Sequence, residues 1–432
     1  TDAQSRAVEE IRHDLASGKQ MGRLLQGDVG SGKTAVAALA LVDVADSGFQ
    51  AALMAPTEIL ARQHHQRLSP LLQAAGVSSL LLTGRDTPAE RRSKLAALAS
   101  GEVQVAIGTH ALFQDAVRFD RLALAVIDEQ HRFGVSERQR LQAKGDPRLG
   151  GVHLLTMSAT PIPRTLELSQ YGELDVSRLD EKPPGRTPVA TAVLPAARIG
   201  EVARRMKAAV EGGAQAYWIC PLVAESEAID LAAAEARAAD LRKFLGIEVG
   251  LAHGQMPGAE REAVMADFAD GRLPVLVATT VVEVGVDVPN ASIMVIEHAD
   301  RFGLAQLHQL RGRVGRGARS SACILLYGGE DGQLGETARE RLETLRRTED
   351  GFEIAEEDFR LRGGGDPLGL KQSGFPAYRF ADPIRHRGLM LAAADDARLI
   401  LGRDPDLTSE RGRAVQVLEA LFDWRNERVS SD

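Results

Sequence analysis

The densest chemistry in this 432-residue chain lies in eight consecutive residues, GDVGSGKT, Gly27 to Thr34. They fit the pattern of a glycine, four residues and then Gly-Lys-Ser/Thr, between the apolar run RLLQ and the helical stretch AVAALALVDVA. Glycines let a backbone wrap closely around a polyphosphate, and the following helix N-terminus offers N–H groups and a positive dipole end. Gly27, Asp28, Gly30, Ser31 and Gly32 form the cradle, Lys33 reaches the β- and γ-phosphates, and Thr34 holds Mg2+. An ordinary glycine turn is the alternative, and the strand and helix on either side speak against it.

A magnesium–nucleotide site needs a carboxylate at the end of a neighbouring buried strand, and LALAVIDEQH supplies Asp128. Asp128 holds the metal in this reading, and Glu129 orients or deprotonates the attacking water. Two such acids alone could be the solvated rim of a strand; beside the glycine loop they read as hydrolytic. A second cluster, QLRGRVGRG, places Arg313 and Arg316 three residues apart, and between Asp300 and Arg319 five arginines face one acid. A planar guanidinium suits charge developing on a transferring phosphoryl group. The interspersed glycines suggest close approach to a ligand or backbone rather than a solvated face. A nucleotide bridging Lys33 and Arg313 or Arg316 would close a cleft between two domains and turn hydrolysis into relative motion.

The elements that position these residues follow from apolar runs alternating with helical stretches, the pattern of parallel sheets covered by helices. Strands are expected at residues 23–26, 51–55, 79–83, 103–108, 122–127 and 152–157, and again at 189–194, 215–220, 248–252, 275–279, 293–297 and 322–327. The Pro- and Gly-rich EKPPGRTP, residues 181–188, separates the two blocks as a linker. This gives α/β domains at 1–180 and 189–330, then a tail at 331–432 with a helical hairpin bent at Glu349, Asp350 and Gly351, a long glycine- and proline-rich loop and further helix. The net charge of −8 argues on its face against nucleic acid, although the arginine-rich segment is locally basic. Cys220 and Cys323 lie outside any metal or disulfide spacing, which fits a reducing cytoplasm. The longest apolar run, AVAALALV, falls short of the roughly 20 residues of a membrane helix, so no membrane partner is expected.

The ordered set GDVGSGKT, APTEILARQH, GTHAL, DEQH, MSATPIPRT, AHGQM, ATTVVEVGVDVP and QLRGRVGRG resembles the motor of superfamily 2 helicases. Within that superfamily, RLLQGDVGSGKT, YGELDVSRLDEKPPGR and IEHADRFGLAQLHQLRGRVGRG are similar to the RecG family of fork-remodelling helicases. The resemblance implies two tandem RecA-like domains followed by a hairpin and loop. It also implies ATP and Mg2+ as cofactors, and Gln4 as the adenine reader. Gly285 and Asp287 would bridge the ATP and DNA sites, and Ser158, Thr160 and His131 would relay nucleotide state toward DNA. The tail is similar to a translocation motif shared with the transcription-repair coupling factor, in which Arg360, Arg362 and Gln372 couple closure to movement on duplex DNA.

The function so implied is an ATP-dependent double-stranded DNA translocase that remodels stalled forks and Holliday junctions in recombination and repair. Branched double-stranded DNA is the expected partner, with single-stranded DNA-binding protein as a further one. A wedge domain would precede this chain in a longer protein. A coupling-factor-like translocase, an RNA helicase and a nucleotide switch without turnover are the competing readings. The resemblance further implies that the segments around His110 and Gly254 line the duplex path; the alternative is that His110 and His253 are plain loop histidines and Ser158 a turn residue.

Overall fold

The computed structural model describes residues 1–128, 144–145, 151–159, 174–183, 188–221, 227–279, 288, 290–317, 319–328, 334–362 and 386–429. The first sheet contains β1 (Gly22–Gly27), β2 (Gln50–Met54), β3 (Ser79–Leu82), β4 (Val105–Gly108), β5 (Leu122–Asp128), β6 (His153–Ser158) and β7 (Asp175–Leu179). The second contains β8 (Val189–Pro195), β9 (Gln215–Ile219), β10 (Val249–Ala252), β11 (Val275–Ala278), β12 (Ala291–Ile296) and β13 (Ser321–Tyr327). The strand orders are β3-β4-β2-β5-β6-β1-β7 and β10-β11-β9-β12-β13-β8, and every pairing is parallel.

Parallel strands need crossovers, and helices supply them on both faces. The first domain carries α1 (Asp2–Ala16), α2 (Lys33–Asp46), α3 (Glu58–Ala74) and α4 (Pro88–Ala99); the second carries α5 (Ile199–Glu211), α6 (Glu227–Leu245), α7 (Gly258–Ala269) and α8 (Leu304–Arg311). Alternate residues of one strand enter opposite cores: Leu53 joins Leu25, Val126 and Leu155 on one side, while Ala52 and Met54 join Ala125 and Ile127 on the other. The second sheet divides likewise, with Tyr217 and Ile219 facing one core and Ala216 and Trp218 the other. The architecture is therefore the expected pair of parallel-sheet α/β domains.

A hairpin follows, of α9 (Glu336–Arg347) and α10 (Gly351–Arg362). Asp350 starts α10 by accepting from the N–H groups of Phe352 at 2.8 Å and Glu353 at 3.4 Å. The hairpin is no free appendage, because Leu342, Leu345 and Ile354 are buried in the same core as Tyr217 and Leu325. Two further helices, α11 (Arg387–Arg403) and α12 (Glu410–Val429), belong to a separate compact unit. No helix among the described residues is long and apolar enough to cross a membrane.

Strand β7 is the one described strand that the apolar pattern does not announce, since DVSRL offers only Val176 and Leu179. Polar contacts fix it instead. The guanidinium of Arg23, buried in β1, donates to Ser177 Oγ at 2.9 Å, Asp14 Oδ2 at 2.7 Å and Glu10 Oε2 at 3.3 Å. Ser177 Oγ also donates to Glu10. This network ties α1, β1 and the edge strand together, and removing its cation would take the ion-pair partner from the largely buried Asp14 and leave Glu10 with the Ser177 hydroxyl alone. Arg23→Ala is expected to lower stability by about 3 kcal/mol, read as a fall in the urea midpoint at unchanged m value.

Candidate functional site

The glycine loop runs from the end of β1 into α2. Gly30 and Gly32 turn it with φ of 79° and 92°, a region that strains any residue with a Cβ. Close approach adds a second demand for glycine: a Cβ on Gly27 would lie 2.5 Å from Ser31 Oγ, and one on Gly32 2.0 Å from Gln4 Nε2. Helix α2 starts with no side-chain cap at Gly32, so its first N–H groups face the cradle. Ser31 Oγ is buried there without a hydrogen-bond partner. An orphaned hydroxyl, uncapped amides and a lysine are the donor set that a polyphosphate satisfies. Lys33 Nζ lies at the loop mouth, donating to Gly27 O at 2.7 Å and Asp28 O at 2.9 Å. Thr34 follows in the first turn of α2.

Gln4 reaches this loop from α1, where its Nε2 donates to Ser31 O at 2.9 Å. It thereby sets the loop's shape from the side on which the resemblance places the base. At the carboxyl ends of the strands, Asp128 closes β5 and Ser158 closes β6, with Ser158 in register beside Gln26 of β1. Asp128 Oδ2 lies 2.8 Å from His64 Nε2, and both side chains are largely buried. The sequence does not announce His64, because nothing in ARQHH says which histidine faces the sheet. Its position on the inner face of α3, four residues after the buried Leu60, is the signal that could have found it.

The second domain closes directly on the loop. His308 Nε2 of α8 lies 2.8 Å from Asp28 Oδ1. A Cβ on Gly312, just past α8, would lie 3.0 Å from Val29 Cβ, so glycine permits the arginine segment to approach the cradle backbone. Burial pushes the Asp28 carboxyl up, but the bonds from His308 and Val29 and the charge of Lys33 outweigh it and hold the pKa below the ordinary carboxylate value. Elsewhere along the domain boundary Arg85 pairs with Glu58 at 3.3 Å and with Glu262 of α7, and Ile59 packs against the second domain's core.

Arg313 and Arg316 follow Gly312, and Arg316 Nε donates to Gly312 O at 3.1 Å. Both act on Tyr217 of β9: burial raises the tyrosine to about 12, against a downward pull from the two guanidinium charges. Burial lowers Arg316, and Arg67 of α3 is lowered by burial and then by the like charge of Arg316. Three arginines from two domains thus concentrate positive charge near the cleft. The fourth, Arg311, turns away and donates to Thr348 O at 2.9 Å and to Leu345 O at the end of α9.

Arg360 lies on the hairpin, where it bonds Glu357 at 2.7 Å on its own helix and Glu340 at 3.0 Å on α9. It clasps the two hairpin helices. Arg362 ends α10. Glu129, His131, Thr160, Gly285, Asp287 and Gln372 lie outside the described residues. Among the described residues no group of His, Cys, Asp and Glu could by itself hold a metal ion.

Comparison with known proteins places this geometry among helicases. The DEAD/DEAH box helicase family matches residues 1–168, the helicase conserved C-terminal domain residues 205–318, and the C-terminal part of domain 3 of ATP-dependent DNA helicase RecG residues 348–424. The chain is 52% identical over 99% of its length to the ATP-dependent DNA helicase RecG of Acidithiobacillus ferridurans, covering 60% of that protein. It is 50% identical over 94% of its length to the protein of the same name from Escherichia coli strain K12, covering 58% of it. The chain thus spans about three fifths of these relatives. A solved structure of RecG bound to a three-way DNA junction shares 45% identity with a TM-score of 0.75, over 90% of this chain and 50% of that one. Saccharomyces cerevisiae Dbp5 bound to RNA and ADP BeF3, 18% identical with a TM-score of 0.56 over 82% of this chain and 93% of that one, shares the fold.

Proposed function

The chain is of the RecG type, and from that premise we propose that it is the ATP-driven motor of a double-stranded DNA translocase that remodels branched DNA, such as stalled forks and Holliday junctions, in recombination and repair. One observation carries the reading: the arginine segment of the second domain packs on the phosphate loop of the first, through Gly312 against Val29 and His308 against Asp28. A nucleotide held by such a loop meets cations from both domains, so its hydrolysis changes how the domains hold each other.

Lys33 and the loop amides hold the β- and γ-phosphates, and Gln4 fixes the loop from the base side. Thr34 and Asp128 would hold Mg2+, which supplies neutralising charge on the phosphoryl oxygens. Glu129 takes the proton of the attacking water, and Arg313 and Arg316 stabilise the charge of the transferring phosphoryl group. Gly285 and Asp287 connect this site to DNA on the second domain. Ser158, Thr160 and His131 carry the nucleotide state outward from the first sheet. The hairpin braced by Arg360, with Arg362 and Gln372 beyond it, converts closure into movement along duplex DNA. A single-stranded DNA-binding protein as a further partner rests on the resemblance alone.

ATPase rate measured against nucleic-acid cofactor tests the assignment. Branched duplex DNA is expected to stimulate turnover several-fold more than single-stranded DNA or RNA, with stimulation falling steeply as salt rises. Equal stimulation by RNA would remove the DNA-motor reading.

A further inference from the structure

We propose that Asp28 and His308 form a latch between the two domains, with His308 as a positioning residue that sets the arginine segment over the nucleotide loop. The inference rests on the ATPase reading above and adds to it a contact that neither the phosphate loop nor the arginine motif requires for its own chemistry. A carboxylate beside bound phosphates is unfavourable, so the orientation of Asp28 needs a cause. Its Oδ1 accepts from Val29 N–H at 2.6 Å and meets His308 Nε2 at 2.8 Å.

The direction of these bonds follows from donor chemistry. Arginine can only donate, so the contact of 3.1 Å from Arg311 Nη2 makes His308 Nδ1 an acceptor. The ring hydrogen is thereby assigned to Nε2, from which it is donated to Asp28. Donors run one way, from Arg311 through His308 to the carboxylate of the loop. Arg311 holds the carbonyls of Leu345 and Thr348 with its other nitrogen, so the same side chain that orients His308 is fixed to the end of α9.

Burial gives the latch its strength. The side chains of His308 and Asp28 are 6% and 16% exposed, so solvent and salt screen the bond little. Gly312 lies one turn after His308 and packs on Val29 of the loop, and Arg313 and Arg316 follow it, so a shift of His308 moves the segment that carries both arginines. A cavity of about 230 Å³ lined by Asp28, His308, Arg311 and Glu349 adjoins the pair and gives a substituted side chain room.

The test compares His308→Leu, His308→Gln, Asp28→Ala and the Asp28→Ala/His308→Leu double variant in the complete protein. Each is measured for kcat and KM of DNA-stimulated ATP hydrolysis and for the dissociation constant of a fluorescent ATP analogue. Glutamine presents an amide acceptor and donor spaced like the two ring nitrogens, so it keeps both bonds. His308→Leu is expected to lower kcat about fivefold or more with a smaller change in KM, and His308→Gln to recover most of it. The double variant is expected to be no worse than the more impaired single one, because both remove the same bond. Additive losses would overturn the latch, as would a folded His308→Gln as impaired as His308→Leu. If the wild type shows no stimulation by DNA, the motor reading fails and the latch is decided by analogue binding: non-additive constants sustain it and additive ones refute it.

Discussion

Lys33→Ala is expected to reduce ATP turnover about 10²- to 10³-fold, with the fold unchanged, when steady-state hydrolysis is measured at saturating ATP. The lysine stands at the loop mouth on two carbonyls, those of Gly27 and Asp28, and its ammonium can exchange them for phosphate oxygens without moving the backbone. A unit charge about 4 Å from a phosphate oxygen at an effective dielectric constant near 20 interacts by about 4 kcal/mol, which matches that range of rate loss. Structural damage should be slight, because Lys33 opens α2 and alanine is the better helix former there. The check is thermal unfolding, expected to shift by no more than a few degrees. A variant that keeps a tenth of wild-type turnover would show that the phosphates are held elsewhere.

Arg316→Ala carries the second large effect, about 10³-fold in kcat with a smaller change in KM for ATP, the pattern of a group engaged in the transition state. Its guanidinium is pinned through Nε to Gly312 O and is sunk far enough to be lowered by burial, yet an arginine so placed keeps its charge. Arg67 opposes it with like charge from the other domain. Two guanidinium groups held within electrostatic reach of each other repel, and an anion between them relieves that repulsion; a phosphoryl group gaining charge relieves it most. Arg316→Lys should fall between wild type and alanine, because an ammonium keeps the charge and loses the planar fork. Single-turnover hydrolysis separates the two cases, and a loss confined to KM would make Arg316 a binding residue only.

How much of this was legible in the sequence depended on how local the physics was. The twelve strands announced by apolar runs appear within two residues of their expected ends, because most of them are buried on both faces and must be largely apolar, the edge strands β3 and β8 being the more exposed ones. The turn of the glycine loop was legible for a similar reason, since its left-handed glycines and its lysine lie within eight residues. Strand β7 was not, because it is held by Arg23 and Glu10 rather than by its own apolar content. The His64–Asp128 and Asp28–His308 contacts were not legible either. They join residues 64 and 280 positions apart, and no periodicity encodes which polar side chains will meet when two sheets and two domains close. The site was therefore readable in its parts and not in its connections.

A further connection runs through Glu349, at the bend of the hairpin. Burial raises its carboxyl, and Lys182 at 2.7 Å, the Val189 N–H and the charge of Arg311 outweigh that and hold it ionised. Lys182 lies in the connector between the sheets and Val189 begins the second one. The carboxylate is therefore a fulcrum shared by the connector and the hairpin. Removing it would release the connector and the first residue of the second sheet from the bend of the hairpin in a single step.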